Sequence, residues 1–325
     1  MAKVLVIRLS AIGDVAMTVP VIYSAAKANP EDSFTVLTQA FLMPLFMNRP
    51  PNVEVIGINT KGAEKGLIGL LKFISALLKF DFDVILDLHN VIRTIIICTF
   101  FRLNGKRVFV LDKARKERKR LTAIKGKRLY PLRPVIVRYA DVFRAAGLNY
   151  TETFTSLYEE SPAELSGMAS VAGIKKGKWI GVAPFAKHRG KIYPVDEMEQ
   201  VVACLSKCED YTVFLFGGRG YEEAILEQWE FQYPRVKSVV GKYALDNELA
   251  LISQLDVLLC MDSANMLFCL FGRYTSDFGF GERRILMPVF MVIIKIPVML
   301  FRKIYLVGLV LYLGRNHVCA VIGRV

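Results

Sequence analysis

Short apolar runs alternate with helical patterns along most of this chain, and that alternation limits the fold more than any other feature. Strands are expected at Lys3 to Arg8, Ser33 to Thr38, Val53 to Ile58, Val84 to Leu88 and Lys106 to Leu111. Helical patterns lie between several of them, at Val15 to Lys27, Gly66 to Lys79 and Arg93 to Phe101. Alternation at this spacing argues for a parallel sheet with helices on both faces. A basic, loop-like stretch follows at 112–134, and "VIVRYADVFRAAGL" (135–148) reads as a helix closing this half. Residues 151–178 have mixed polarity and read as a linker region. The alternation then resumes with strands at 179–185, 211–218, 236–241 and 257–263, and with helices from Val195, Tyr221 and Asn247. The expected fold class is therefore α/β. Two Rossmann-like doubly wound domains are expected at 1–150 and 179–266, with a divergent tail at 267–325. The chain's 325 residues suit two domains of ~150 residues each.

Composition narrows the class further. Hydrophobic residues make up 53% and charged residues 22%, which is globular and excludes a disordered chain. The formal net charge of +13 favours anionic partners: nucleic acid, phosphorylated sugars or an anionic membrane surface. Nucleic acid is not expected, because the basic run 113–128 contains few aromatics for stacking and no recognised module is present. The six cysteines form no CxxC pair, and Cys204 and Cys208 are poorly spaced for zinc. Reduced cytosolic thiols and no metal site are expected. Met1-Ala2-Lys3 runs straight into a strand, without the ordered regions of a signal peptide.

Ligands of α/β sheets sit where strands end and helices begin, because helix N-termini there offer unpaired N–H groups and a positive dipole end. Four turns stand at such places. Ser10 to Asp14 follows the first strand: Gly13 permits close backbone approach, and Asp14 is either a helix cap or a functional carboxylate. It is not GxGxxG, so a nicotinamide or flavin site is a weak reading. "APFAKHRGKIYP" (183–194) sets Lys187, His188, Arg189 and Lys191 on one loop at a strand end, the composition of a phosphate clamp. "FGGRGYEE" (216–223) is a Gly-rich turn after a strand, and "CMDSANM" (260–266) closes a strand with Asp262 and Ser263.

Taken in order, "RLSAIGD" (8–14), "DLHNVIRT" (87–94), "APFAKHRGKIYP", "FGGRGYEE" and "MDSANM" resemble glycosyltransferase family 9, the ADP-heptose:lipopolysaccharide heptosyltransferases. The resemblance covers about residues 1–266. It implies a GT-B fold, two Rossmann-like domains facing a cleft. It also implies inverting transfer of heptose from ADP-heptose to the lipopolysaccharide inner core, with no cofactor or obligatory metal. Asp14 matches the family's general base, which must reach the acceptor hydroxyl proton. Lys191, in a Lys-x-aromatic-Pro pattern, matches the cation that neutralises the leaving diphosphate. Glu222 matches an acid that binds the nucleotide's ribose, and Asp262 and Ser263 match the loop near the donor sugar and diphosphate. Ser10, Gly13, Lys187 and Arg189 complete the expected substrate-binding set. The implied partners are ADP-heptose and an anionic glycolipid acceptor, in the cytoplasm with peripheral contact at the inner-membrane face. A non-catalytic nucleotide-sugar-binding remnant is the alternative.

After Met266 the family pattern stops: Leu267 stands where the family has histidine. The apolar stretch 285–314 is cut by Lys295, Arg302 and Lys303 into charge-free runs of 10, 6 and 11 residues, below the ~18–20 a spanning helix needs. A membrane-tethered variant is thus the lesser reading. An out-of-frame tail fits better. With suitable synonymous codons, the shifted frame turns "FGERRILMPVFM" (280–291) into WGATHPYAGFY and "LVGLV" (306–310) into CRPC, both family-like. The tail holds 8 Lys/Arg against 2 Asp/Glu and so supplies +6 of the +13. The second domain is expected to be incomplete, and the chain as written poorly folded there and inactive.

Overall fold

The computed structural model describes residues 1–124, 130–159 and 163–272, and three further strands at 291–295, 309–312 and 318–321. Two compact units divide the chain, with the boundary between residues 162 and 163.

The first unit is a five-stranded sheet. Its strands are β1 (Lys3–Ile7), β2 (Ser33–Gln39), β3 (Val53–Ile58), β4 (Val84–Asp87) and β5 (Arg107–Val110), in the order β3-β2-β1-β4-β5. All pairings are parallel, with Val4 opposite Phe34 on one side and Val84 on the other. The helices are α1 (Ile12–Ala16), α2 (Val19–Ala28), α3 (Gly66–Leu78), α4 (Ile92–Leu103), α5 (Arg115–Leu121) and α6 (Val135–Ala145). β1 is buried from Val4 to Ile7 because both faces of the sheet are covered. On one face α3 and α4 press Leu70, Ile74, Leu77, Ile97 and Phe101 against Leu5 and Ile7. Each such side chain contributes ~1.5–3 kcal/mol on full burial. Elsewhere in this unit the Phe34 and Phe143 rings meet at 6.4 Å.

The expected helix at 15–27 is two helices. Pro20, in the first turn of α2, has no N–H to donate, so α1 cannot run on through it. Thr18 closes α1 by donating its hydroxyl to the Val15 carbonyl at 2.7 Å. The stretch expected as loop at 112–134 contains α5, which buries no residue. The linker region contains the one-turn helix α7 (Ala169–Ala172).

The second unit repeats the plan. β6 (Lys178–Ala183), β7 (Tyr211–Leu215), β8 (Val236–Ser238), β9 (Val257–Met261) and β10 (Met291–Lys295) form a sheet in the order β10-β9-β6-β7-β8. Its first four strands in chain order are parallel, and β10 adds an antiparallel edge, Met291 opposite Met261. α8 (Val195–Ser206), α9 (Tyr221–Gln232), α10 (Leu245–Gln254) and α11 (Ala264–Gly272) accompany it. Met198, Val202, Leu205, Leu226 and Trp229 pack on Val182, Val213 and Leu215. β11 (Leu309–Tyr312) and β12 (Val318–Val321) form a separate antiparallel pair.

Both units are thus doubly wound α/β, as expected. The rest of the tail, to which the out-of-frame reading applies, lies outside the described residues. Among the described residues no helix is long and apolar enough to cross a membrane. Cys98 and Cys208 are free thiols, whereas Cys204, expected to be reduced, is disulfide-bonded.

Candidate active site

Each sheet has one point where its strand order reverses. In the first unit β2 and β3 extend to one side of β1, while β4 and β5 extend to the other. The crevice outside the carboxyl ends of β1 and β4 is therefore a topological switch point, where open α/β sheets bind ligands. Ser10, Gly13 and Asp14 follow β1 there, and His89 follows β4.

Arg8, just past β1, organises this crevice. Its side chain is only 7% exposed and its Nη1 donates to the Leu88 carbonyl at 2.6 Å, tying β1 to β4. Its Nη2 holds Asp14 Oδ2 at 2.6 Å. The same oxygen accepts a long bond of 3.4 Å from the Ala11 N–H, so Asp14 is in part the cap that sequence alone allowed. The Asp14 side chain stays 41% exposed, and its Oδ1 meets no hydrogen-bond donor among the described residues. A fixed carboxylate with one oxygen open to solvent has the form of a general base.

His89 is the second organiser. It is buried, its Nδ1 accepts the Leu9 N–H at 3.4 Å, and its Nε2 faces Ser10 Oγ at 3.5 Å. Burial, then repulsion by Arg8 and Lys113, pushes its pKa down to about 4, with Asp14 opposing. The imidazole is therefore neutral at pH 7, with its proton on Nε2 toward Ser10. Fully buried Asp87 anchors the turn by accepting the His89 N–H, the Asn90 N–H and the Thr94 hydroxyl, each at 2.8 Å. Partial burial, then repulsion by Arg8 and Arg115, holds the Lys113 ammonium below its usual range.

In the second unit the reversal falls between β6 and β9. The loop after β6 carries Lys191, and Asp262 follows β9. Lys191 Nζ donates to Asp262 Oδ2 at 2.8 Å, with both side chains about one-third exposed. Ser263 Oγ is buried without a hydrogen-bond partner among the described residues. Lys187, His188 and Arg189 are exposed, so of the four cationic positions only Lys191 is drawn into this pair. Glu222 Oε2 accepts the Gly218 N–H at 2.6 Å, and Glu223 Oε2 accepts the Gly220 N–H at 3.1 Å. The Gly-rich turn is thereby laced to the first turn of α9, and Gly220, at φ +84°, needs the freedom of glycine.

A family model described as "Glycosyltransferase family 9 (heptosyltransferase)" matches residues 70–266. The chain belongs to glycosyltransferase family 9. Solved structures carry the fold over more of the length. A family 9 glycosyltransferase from Veillonella parvula is 18% identical, with 87% of this chain and 85% of that one covered and a TM-score of 0.66. E. coli ADP-heptose LPS heptosyltransferase II is 20% identical, with 83% and 82% covered and a TM-score of 0.62. E. coli heptosyltransferase WaaC, solved with ADP-2-deoxy-2-fluoro heptose, is 16% identical, with 83% and 86% covered and a TM-score of 0.61. No curated protein matches. Membership of family 9 makes the chain a transferase of glycosyl groups.

The expected site residues thus fall into two groups, one in each unit: Ser10, Gly13 and Asp14 after β1, and Lys187, Arg189, Lys191, Glu222, Asp262 and Ser263 after β6, β7 and β9. Arg8, Asp87 and His89 organise the first group although the motifs that contain them do not mark them as functional. Their one legible signal was an arginine ending an apolar strand run, six residues before an aspartate.

Proposed function

We propose that this family 9 chain transfers heptose from ADP-heptose to the lipopolysaccharide inner core with inversion. The observation that carries the reading is Asp14, a half-exposed carboxylate fixed by Arg8 at the carboxyl end of β1. In the proposed reaction Asp14 takes the proton of the acceptor hydroxyl as that oxygen attacks the anomeric carbon of the donor. The bond from that carbon to the diphosphate breaks, and Lys191 offsets the charge gathering on the leaving ADP. Lys191 is held by Asp262 until an anionic ligand competes for it. Glu222 serves the ribose, and Ser263 offers its unpartnered hydroxyl to the donor. Ser10 and Gly13 line the acceptor side, and Lys187 and Arg189 stay available to the diphosphate from the loop after β6. The excess of basic residues suits an anionic glycolipid, reached from the cytoplasmic face with peripheral membrane contact.

A second reading has support in Leu267, which stands where the family has histidine, and in the family-like peptides that a shifted frame beyond it gives with suitable synonymous codons. Here the tail is out of frame and the chain is a nucleotide-sugar-binding remnant. The two readings part in one assay. With ADP-heptose and an inner-core acceptor, the transferase releases ADP and raises the acceptor mass by one heptosyl group. ADP-heptose binding without transfer supports the remnant, and no binding of ADP-heptose contradicts both.

A further inference from the structure

The first turns of α3 and α4 expose aliphatic side chains that no part of the site uses. Along α3, Leu70, Ile74 and Leu77 face the core, leaving the opposite side of a strongly apolar helix outward. There Leu67 is 59% and Ile68 74% exposed, with Leu71 beside them. On α4, Ile92 is 80% exposed and Ile95 is exposed as well. Arg93 Nη1 donates to the Glu64 carbonyl at 3.1 Å, which staples the start of α4 to the residues leading into α3. Both helices begin at the carboxyl ends of their strands, the end of the sheet that carries Ser10, Asp14 and His89.

The charged side chains on these two helices are all basic. Neither α3 nor α4 contains an Asp or Glu, and Lys61, Lys65, Lys72 and Lys79 are exposed along or beside α3. The adjacent acids are engaged: Glu64 Oε2 accepts the Asn59 N–H at 2.8 Å, and Asp81 pairs with Lys106 at 2.6 Å. Exposed aliphatics on helices that carry basic residues and no acids match the headgroup–acyl boundary of an anionic bilayer. We propose that Leu67, Ile68, Leu71, Ile92 and Ile95 enter that boundary while the lysines engage lipid phosphates. The first unit is then held with its acceptor crevice toward the membrane. The inference rests on the reading that the acceptor is a membrane-borne glycolipid, and it names the surface that brings the enzyme to it.

The test is flotation of the full chain with vesicles of phosphatidylglycerol and phosphatidylethanolamine, against phosphatidylcholine alone. The wild type is expected to float with the anionic vesicles only. Leu67→Ser/Ile68→Ser/Leu71→Ser should reduce partitioning about tenfold or more, and removal of each charge at Lys65 and Lys72 should cost about fivefold. Ile68→Trp should gain a blue-shifted emission component on anionic vesicles, a readout that does not depend on a disruptive variant. A wild type that stays in solution overturns the proposal. So does a triple variant that floats like the wild type, which would place docking elsewhere, on basic α5 for instance. A wild-type dimer dissolved by the triple variant with flotation unchanged also overturns it, in favour of a second copy on this face. Turnover of a lipid-free inner-core oligosaccharide separates the two readings. Vesicle binding without that turnover defeats the transferase and leaves the surface standing, whereas turnover without vesicle binding does the reverse.

Discussion

At the scale of single residues, the crevice at the carboxyl ends of β1 and β4 is a small network in which no member acts alone. Arg8 uses its forked head to hold β4 through the Leu88 carbonyl and to hold Asp14, a geometry that lysine's single ammonium cannot reproduce. His89 gives the network a measurable pH signature. Its ordinary pKa of 6.5 falls to about 4 in the folded chain. Below pH 4 both folded and unfolded chains carry the proton, and above pH 6.5 neither does. Between those values the unfolded chain binds more protons, so stability rises with pH. The contribution is fully present above pH 6.5 and is lost as pH falls to about 4, ~3 kcal/mol in all. Urea midpoints for wild type and His89→Gln at pH 5 and pH 7.5 test this. The wild type should lose more stability on acidification than the variant, and equal losses would show that His89 does not titrate this way. None of this was legible beforehand. A histidine in "DLHNVIRT" has no visible neighbour in sequence, because Leu9 and Ser10 lie some 80 residues away in the turn after β1.

At the scale of elements, apolar runs gave nearly every strand, since strands covered on both faces must be apolar throughout. The failures had local causes. α5 has only one apolar residue after its first six, "RKERKR", so it carries no periodic core face to betray a helix, although Lys, Arg and Glu favour one. The strand expected through 218 ends at Leu215, where Phe216, Gly217 and Gly218 open the turn toward α9. In the middle of β6, Gly181 has a packing role. A Cβ there would lie 2.5 Å from Leu255 Cδ1 and 2.7 Å from Leu258 Cδ1. Both leucines are buried in the core, so Gly181→Val should destabilise the second unit by ~1–3 kcal/mol. The chain's two tryptophans, Trp179 and Trp229, both belong to that unit, so tryptophan fluorescence during urea unfolding reads it directly. An unchanged midpoint would contradict this packing.

At the scale of the whole molecule, the two units share one device: a reversal of strand order with an ion pair beside it. Arg8 with Asp14 stands at one, and Lys191 with Asp262 at the other. The sequence motifs located the turns, because Ser10, Gly13 and Asp14 follow β1, basic residues cluster after β6, and Asp262 and Ser263 follow β9. They did not reveal the pairing of Lys191 with Asp262, since a separation of 71 residues leaves no spacing pattern. The central claim is that Asp14 is the base of a glycosyl transfer. The most direct measurement is the rate of heptosyl transfer from saturating ADP-heptose to an inner-core acceptor, for wild type and Asp14→Asn, beside the ADP-heptose Kd of each. Asparagine keeps the shape but cannot take a proton. The expected result is a fall in kcat of about 10²–10⁴-fold with the donor Kd unchanged. An Asp14→Asn chain that transfers heptose at the wild-type rate would contradict the account.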